Sequence, residues 1–163
     1  MLPIVLNKHI KAGLAGQGEA LRRRRVLLDG AQVPVTPVVS KDDLAGLQIL
    51  FVAGLDLDSS AELASAARTQ GILVNVEDVP PLCDFHVPAI VRRGDLMLTA
   101  STGGRAPGLS RNVREWLETR FGPEWDEHLE SLSVARKNWR SQGLNPAEVS
   151  QRTRDFIAKE GWL

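Results

Sequence analysis

Ile10-Lys11-Ala12-Gly13-Leu14-Ala15-Gly16-Gln17-Gly18-Glu19-Ala20-Leu21 sets the fold class. It reads as a short apolar strand, Ile10 to Ala15, ending in a glycine-flanked turn that opens directly into a helical pattern. The helix runs from Glu19 to Leu28, with Leu21, Leu27 and Leu28 as its apolar set and Gly30 as its stop. Arg22, Arg23, Arg24 and Arg25 read as a solvated helix face. Working outward, Gln32 to Val39 alternates apolar residues as a strand does, and Pro34 and Pro37 push that strand toward a sheet edge or an early end. Leu47 to Val52 is nearly continuously apolar, the mark of a strand covered on both faces. Ser59 to Gln70 is a helix with a capping box formed by Ser59 and Glu62. Ile72 to Val76 is a further buried strand.

Strands alternating with helices imply parallel pairing with right-handed crossovers. Ligands of such sheets lie beyond the carboxyl ends of the strands. Those ends are Gly16-Gln17-Gly18, Thr36-Pro37, Ala53-Gly54-Leu55-Asp56 and Asn75-Val76-Glu77-Asp78. The pattern changes after Pro80-Pro81. Val87 to Val91 and Leu96 to Ser101 are strand-like and flank Arg92-Arg93-Gly94-Asp95, a hairpin turn. The remainder is helical: Pro107 to Phe121, then Glu124 to about Gln142, then a helix capped by Asn145 with Pro146 and Glu148 behind it, ending near Gly161. The expected class is α/β: a shortened Rossmann-like parallel sheet in residues 1–80, a strand-rich hairpin region in 81–106, and a helical segment in 107–163.

Composition narrows the function. Lys plus Arg and Asp plus Glu are equal at 20 each, so no global charge draws the chain to nucleic acid or to a membrane surface. No run approaches the length of a membrane helix, and Met1 to Lys8 lacks the pattern of a signal peptide. Cys83 is the single cysteine; no disulfide and no zinc spacing is available, and a reducing, cytoplasmic setting is expected.

Three places can carry chemistry. Gly16, Gln17, Gly18, Glu19 and Ala20 join a strand to a helix N-terminus, where free N–H groups face an anion; the alternative is a tight turn without ligand. The third glycine of the dinucleotide fingerprint is absent, and no acid ends the second strand. Asp78 ends a buried strand and is either a proton acceptor in the crevice or a turn-capping aspartate; strand alternation points Glu77 the opposite way. Ser101-Thr102-Gly103-Gly104-Arg105 opens a helix and makes an anion pocket or a loop needing glycine geometry, with Arg92, Arg93 and Arg111 in the same region. Asp84 reads as a hydrogen-bonding turn residue, Cys83 as a small buried hydrophobe, and His86 as a structural histidine in a strand-like stretch. His128 shows no partner in the sequence pattern. Trp116, Trp125, Trp139 and Trp162 read as packing, with an oligomer interface among the surfaces they can serve.

Taken together, Met1-Leu2-Pro3, Gly16 to Arg23, Gly71 to Asp78, Leu82 to Phe85, Pro88 to Gly94 and Ser101 to Pro107 resemble, in order, the dehydrogenase/ferrochelatase module of siroheme synthase. The resemblance covers most of Met1 to Phe121 and is specific from Gly71 to Pro107. It implies NAD-dependent oxidation of the tetrapyrrole precorrin-2 to sirohydrochlorin; several members of the family also insert ferrous iron. It places the family's catalytic aspartate on Asp78, the cofactor loop on Gly16, Gln17, Gly18, Glu19 and Ala20 with Thr36 and Pro37, and the tetrapyrrole loop on Thr102, Gly103, Gly104 and Arg105. It also implies a homodimer built by the region after the Rossmann unit. The chain departs from the family between Thr36 and Leu47, where an additional helix and strand are usual. Two further readings therefore stand beside the dehydrogenase: an NAD-independent tetrapyrrole chelatase or carrier, and a non-catalytic dimeric relic of the fold.

Overall fold

The computed structural model describes residues 5–6 and 9–163; Met1-Leu2-Pro3 lies outside the described residues. The chain divides into two compact units, one running to Val87 and one beginning at Pro88. The division expected at residue 80 moves because Cys83 and Asp84 bond back to the sheet, and the hairpin and helices form one unit instead of two.

The first unit is a four-stranded parallel sheet of β1 (Ala12–Gly16), β2 (Val35–Val38), β3 (Ile49–Ala53) and β4 (Leu73–Val76), in the order β2-β1-β3-β4. Helix α1 (Gly18–Gly30) links β1 to β2, and α2 (Leu57–Thr69) links β3 to β4. The strands lead outward in opposite directions from β1 and β3, so right-handed crossovers put the two helices on opposite faces. Between β2 and β3 stands only a short 3-10 turn, Lys41–Leu44. Beyond the end of β2, the compressed stretch up to Leu47 is thus a crossover with no α-helix or further strand.

Strand alternation sorts the core. On the α2 face, Leu50, Val52, Val74 and Val76 meet Leu63, Ala64 and Ala67, with Leu44 of the 3-10 turn fully buried beside them. On the α1 face, Ala12, Leu14, Ile49 and Phe51 meet Leu28 and Val33. Strand ends shift by one to three residues from the sequence reading, the most at the start of β2.

Two helix boundaries differ for identifiable reasons. Helix α2 starts at Leu57, and its cap is Asp56, which accepts the Ser59 N–H at 2.8 Å. The expected Ser59–Glu62 box does not form: Ser59 lies inside the first turn, and Glu62 pairs with Lys41. Aspartate is as good a cap as serine and stands one turn earlier. At the end of α1, Gly30 keeps an ordinary conformation and Gln32 takes the left-handed one at φ 55°.

The second unit pairs β5 (Ala89–Arg93) with β6 (Leu96–Ala100) as an antiparallel hairpin. Gly94, the first of its two loop residues, has φ 53°, the backbone a two-residue hairpin loop favours. Helices α3 (Pro107–Arg120), α4 (Trp125–Ser141) and α5 (Pro146–Glu160) follow. Asn145 and Glu148 form the expected capping box of α5, and Gly161 closes it in the left-handed region at φ 66°. Trp125, Trp139 and Trp162 pack with Phe121 and Phe156. His128, without partner in the sequence reading, stacks on Trp162 with centroids 4.3 Å apart. Trp116 stays 63% exposed. His86 is exposed and lies outside any strand.

Candidate functional site

The carboxyl ends of β1 and β3 are fastened together at the glycine loop. The Gln17 N–H donates to the Ala53 carbonyl at 3.1 Å. Gly16, at φ 144°, makes that approach possible: a Cβ there would lie 1.8 Å from the Ala53 oxygen. Gly54, at φ 78°, does the same for the loop after β3, since a Cβ would meet the Gln17 carbonyl at 2.4 Å. Gly18 is different. It opens α1 at φ 64°, and a Cβ there would meet nothing within 4 Å. Among the described residues, no side chain caps this helix end. The N-terminal amides of α1 therefore face open space with the positive end of the helix dipole behind them. This arrangement fits a phosphate group: close backbone approach, free donors and favourable potential. Glu19 does not oppose it freely, since its carboxylate is held by Arg22 at 2.7 Å.

The second strand end is placed differently from the sequence reading. Thr36 and Pro37 lie in mid-strand, opposite Gly13 and Leu14. The residues beyond the carboxyl end of β2 are Val39 and Ser40, and Asp43 accepts both of their N–H groups at 2.8 Å. These bonds hold the Asp43 carboxyl below its ordinary value.

Asp78 follows β4 in a turn closed by the Val79 N–H on the Val76 carbonyl at 3.3 Å. Its φ is 61°, a left-handed conformation uncommon for a residue with a side chain, and it is exposed. Asp78 thus shapes a turn, and its exposed carboxylate lies at the carboxyl end of β4, on the rim to which α1 also opens. Glu77, as expected, points elsewhere, toward the α1 face.

That face holds the residue the sequence reading missed. Arg24 is only 8% exposed, not solvated. Leu21, Arg24 and Leu28 follow helical spacing, so the inward stripe of α1 passes through position 24, and that periodicity was the available signal. The guanidinium lies 5.7 Å from the centre of the Phe51 ring and 3.8 Å from Glu77. Burial lowers its pKa, opposed by the charges of Glu77, Asp78 and Cys83. An arginine still remains protonated at neutral pH. Removing one partner of such a pair typically costs about 3–5 kcal/mol, because the other charge stays buried.

The outer edge of β4 is closed by the segment after Asp78. The Cys83 thiol accepts the Val76 N–H at 3.3 Å and lies 3.1 Å from the Val76 carbonyl, to which it can donate. Cys83 is thus a half-buried hydrogen-bonding group, more than the apolar filler expected. Asp84 accepts the Val74 N–H and pairs with Arg68 at 3.0 Å, as its reading as a hydrogen-bonding residue required.

In the second unit, Gly103 and Gly104 have φ 62° and 80°, so the loop does need glycine geometry. Thr102 Oγ1 accepts the Ala106 N–H at 3.1 Å and lies 3.2 Å from Ser110 Oγ; Ser101 Oγ accepts the Gly103 N–H. The cations expected around it divide. Arg93 caps the end of α3 through the Phe121 and Glu118 carbonyls, and Arg111 pairs with Glu115. Arg92 and Arg105 are exposed and form no ion pair among the described residues.

The family described as "Putative NAD(P)-binding" matches residues 17–89. Siroheme synthase of Methylococcus capsulatus is 37% identical over 149 residues, taking in 74% of this chain and 31% of that protein. Siroheme synthase of Pseudomonas aeruginosa PAO1 is 36% identical over 176 residues, 85% of this chain and 37% of that protein. The chain thus spans about a third of the length of the curated relatives it matches. Among solved structures, "SirC, precorrin-2 dehydrogenase" superposes with a TM-score of 0.74 at 18% identity, covering 96% of this chain and 89% of that one, which shows the shared fold.

Proposed function

From the premise that the chain belongs to the family of the siroheme synthase N-terminal module, we propose that it oxidises precorrin-2 to sirohydrochlorin with NAD. The observation that carries this is the shared rim of the sheet, where an uncapped helix N-terminus at Gly18 and the exposed carboxylate of Asp78 both open. The backbone of Gly16, Gln17, Gly18, Glu19 and Ala20 binds the dinucleotide phosphates. Thr36 and Pro37 support the adenosine side from the body of β2, and Val39 and Ser40 extend it at the strand end. NAD, when bound, supplies the acceptor for the hydride that the macrocycle gives up. Asp78 accepts the proton that leaves with it. Thr102, Gly103, Gly104 and Arg105 hold the tetrapyrrole, with Arg105 and Arg92 free to meet substrate carboxylates.

The same reading includes a cytoplasmic homodimer. Leu109, Val113 and Trp116 lie at i, i+4 and i+7 on α3 and are 55%, 36% and 63% exposed, an apolar stripe of the kind a subunit contact covers. Among the described residues, no helix is long and apolar enough to cross a membrane.

The test is anaerobic absorbance of the protein with enzymatically made precorrin-2, with and without NAD. Conversion only with NAD, abolished in Asp78→Ala, is the expected outcome. Tetrapyrrole binding without conversion would reject it. The shortened β2–β3 crossover favours a second reading in that event, an NAD-independent chelatase or carrier that takes ferrous iron as substrate. Iron insertion into sirohydrochlorin without added NAD distinguishes it. A chain that binds neither ligand is the non-catalytic relic.

A further inference from the structure

The polar side chains buried in the first unit are not scattered. In register, Asn75 lies opposite Phe51, and both point to the α1 face. Glu77 stands two residues on and points the same way, toward the end of the strand. Arg24 reaches this lane from α1, across the Phe51 ring. Each of the three keeps a buried atom without a hydrogen-bond partner among the described residues: Arg24 Nη1, Asn75 Oδ1 and Glu77 Oε2. One donor and two acceptors are the set that buried water completes. A helix stripe this close to an apolar ring gains packing from leucine, and a buried charge pair adds little net stability over such a replacement. The lane therefore asks for a role other than stability.

Its two ends define that role. Arg24 is six residues from Gly18 on one rigid helix, about 9 Å along the axis. Its partner Glu77 is the covalent neighbour of Asp78. We propose that Arg24 is a positioning residue that ties the helix opening at the glycine loop to the turn carrying Asp78, so that a dinucleotide held at one end fixes the carboxylate at the other. This rests on the assignment of Asp78 as the proton acceptor. The link runs from the α1 N-terminus through the helix to Arg24, then through Glu77 to the Asp78 turn.

The experiment is a double-mutant cycle in the full chain: Arg24→Met, Glu77→Gln and the two combined. Met spans much of the same path over Phe51, and the combined variant removes both charges, so it folds even where Arg24→Met alone does not. NAD titration counts folded sites, precorrin-2 turnover gives kcat and KM, and amide exchange of Val79 reads the turn. The expected result is a roughly tenfold loss of kcat in Glu77→Gln, no further loss in the combined variant, and faster Val79 exchange. NAD stoichiometry and the KM for precorrin-2 stay within about twofold, as for an interaction that acts on the chemical step alone. Unchanged kcat and unchanged Val79 exchange in the combined variant overturn the proposal alone, as do losses that multiply. Full activity in Asp78→Asn overturns the reading of Asp78 and this inference with it.

Discussion

Asp84 and Val74 exchange two hydrogen bonds: the Asp84 N–H donates to the Val74 carbonyl at 2.7 Å, and the Asp84 carboxylate accepts the Val74 N–H at 2.9 Å. One residue thereby does the work of a neighbouring strand at this point on the edge of β4. Unpaired edges invite association with other chains, and this edge is closed from within its own sequence.

Loss of that carboxylate is expected to strand a fully buried donor. Asp84→Ala should destabilise the first unit by about 1–3 kcal/mol. Asp84→Asn keeps an acceptor for Val74 and loses only the half-exposed ion pair with Arg68, so its cost is smaller. Urea unfolding of the two variants checks the order; equal costs would assign the effect to the ion pair.

The two glycines of the loop separate stability from binding. Gly16→Ala places a Cβ on the Ala53 carbonyl and should lower Tm severely. Gly18→Ala meets no atom within 4 Å and carries only the left-handed backbone cost, roughly 1 kcal/mol. Its methyl nonetheless projects into the proposed phosphate site, so NAD affinity should fall at least about tenfold. Thermal melts and NAD titration decide it; unchanged affinity would remove the phosphate from this loop.

Asp78 and Gln32 are the described non-glycine residues with positive φ, at 61° and 55°. Glycine relieves the backbone at either position, so Tm should hold or rise in both Asp78→Gly and Gln32→Gly. Only the first should lose precorrin-2 oxidation. A marked fall of Tm in Asp78→Gly would make its carboxylate a structural group.

Asp43 and Asp56 both accept backbone N–H groups, which hold their carboxyls below the ordinary value of 3.8. A depressed folded-state pKa gives stability that is complete above 3.8 and is lost as pH falls through it toward the lower folded values. Asp56→Asn keeps an acceptor for the Ser59 N–H and removes the titration. The fall of the urea midpoint on acidification below pH 3.8 should accordingly be shallower than in the wild type. An identical slope would mean that other carboxylates govern acid unfolding.

The strand and helix order, the glycine loop and the caps of α5 were legible in the sequence because each rests on neighbours within a few residues. Asn145 and Glu148 meet across one turn, and the apolar runs of β3 and β4 declare their burial by themselves. The family was legible for the same reason, through short motifs in order. What the sequence left open depends on partners far along the chain. Arg24 is buried because Phe51 and Glu77 receive it; Cys83 and Asp84 bond because β4 ends the sheet; Thr36 and Pro37 sit mid-strand because register with β1 is set by packing of both faces. Local hydrogen bonding and periodicity determined the elements. Only tertiary packing decided which charges went inside and which strand residue stood at the rim, since desolvation and register are settled between elements and not within them.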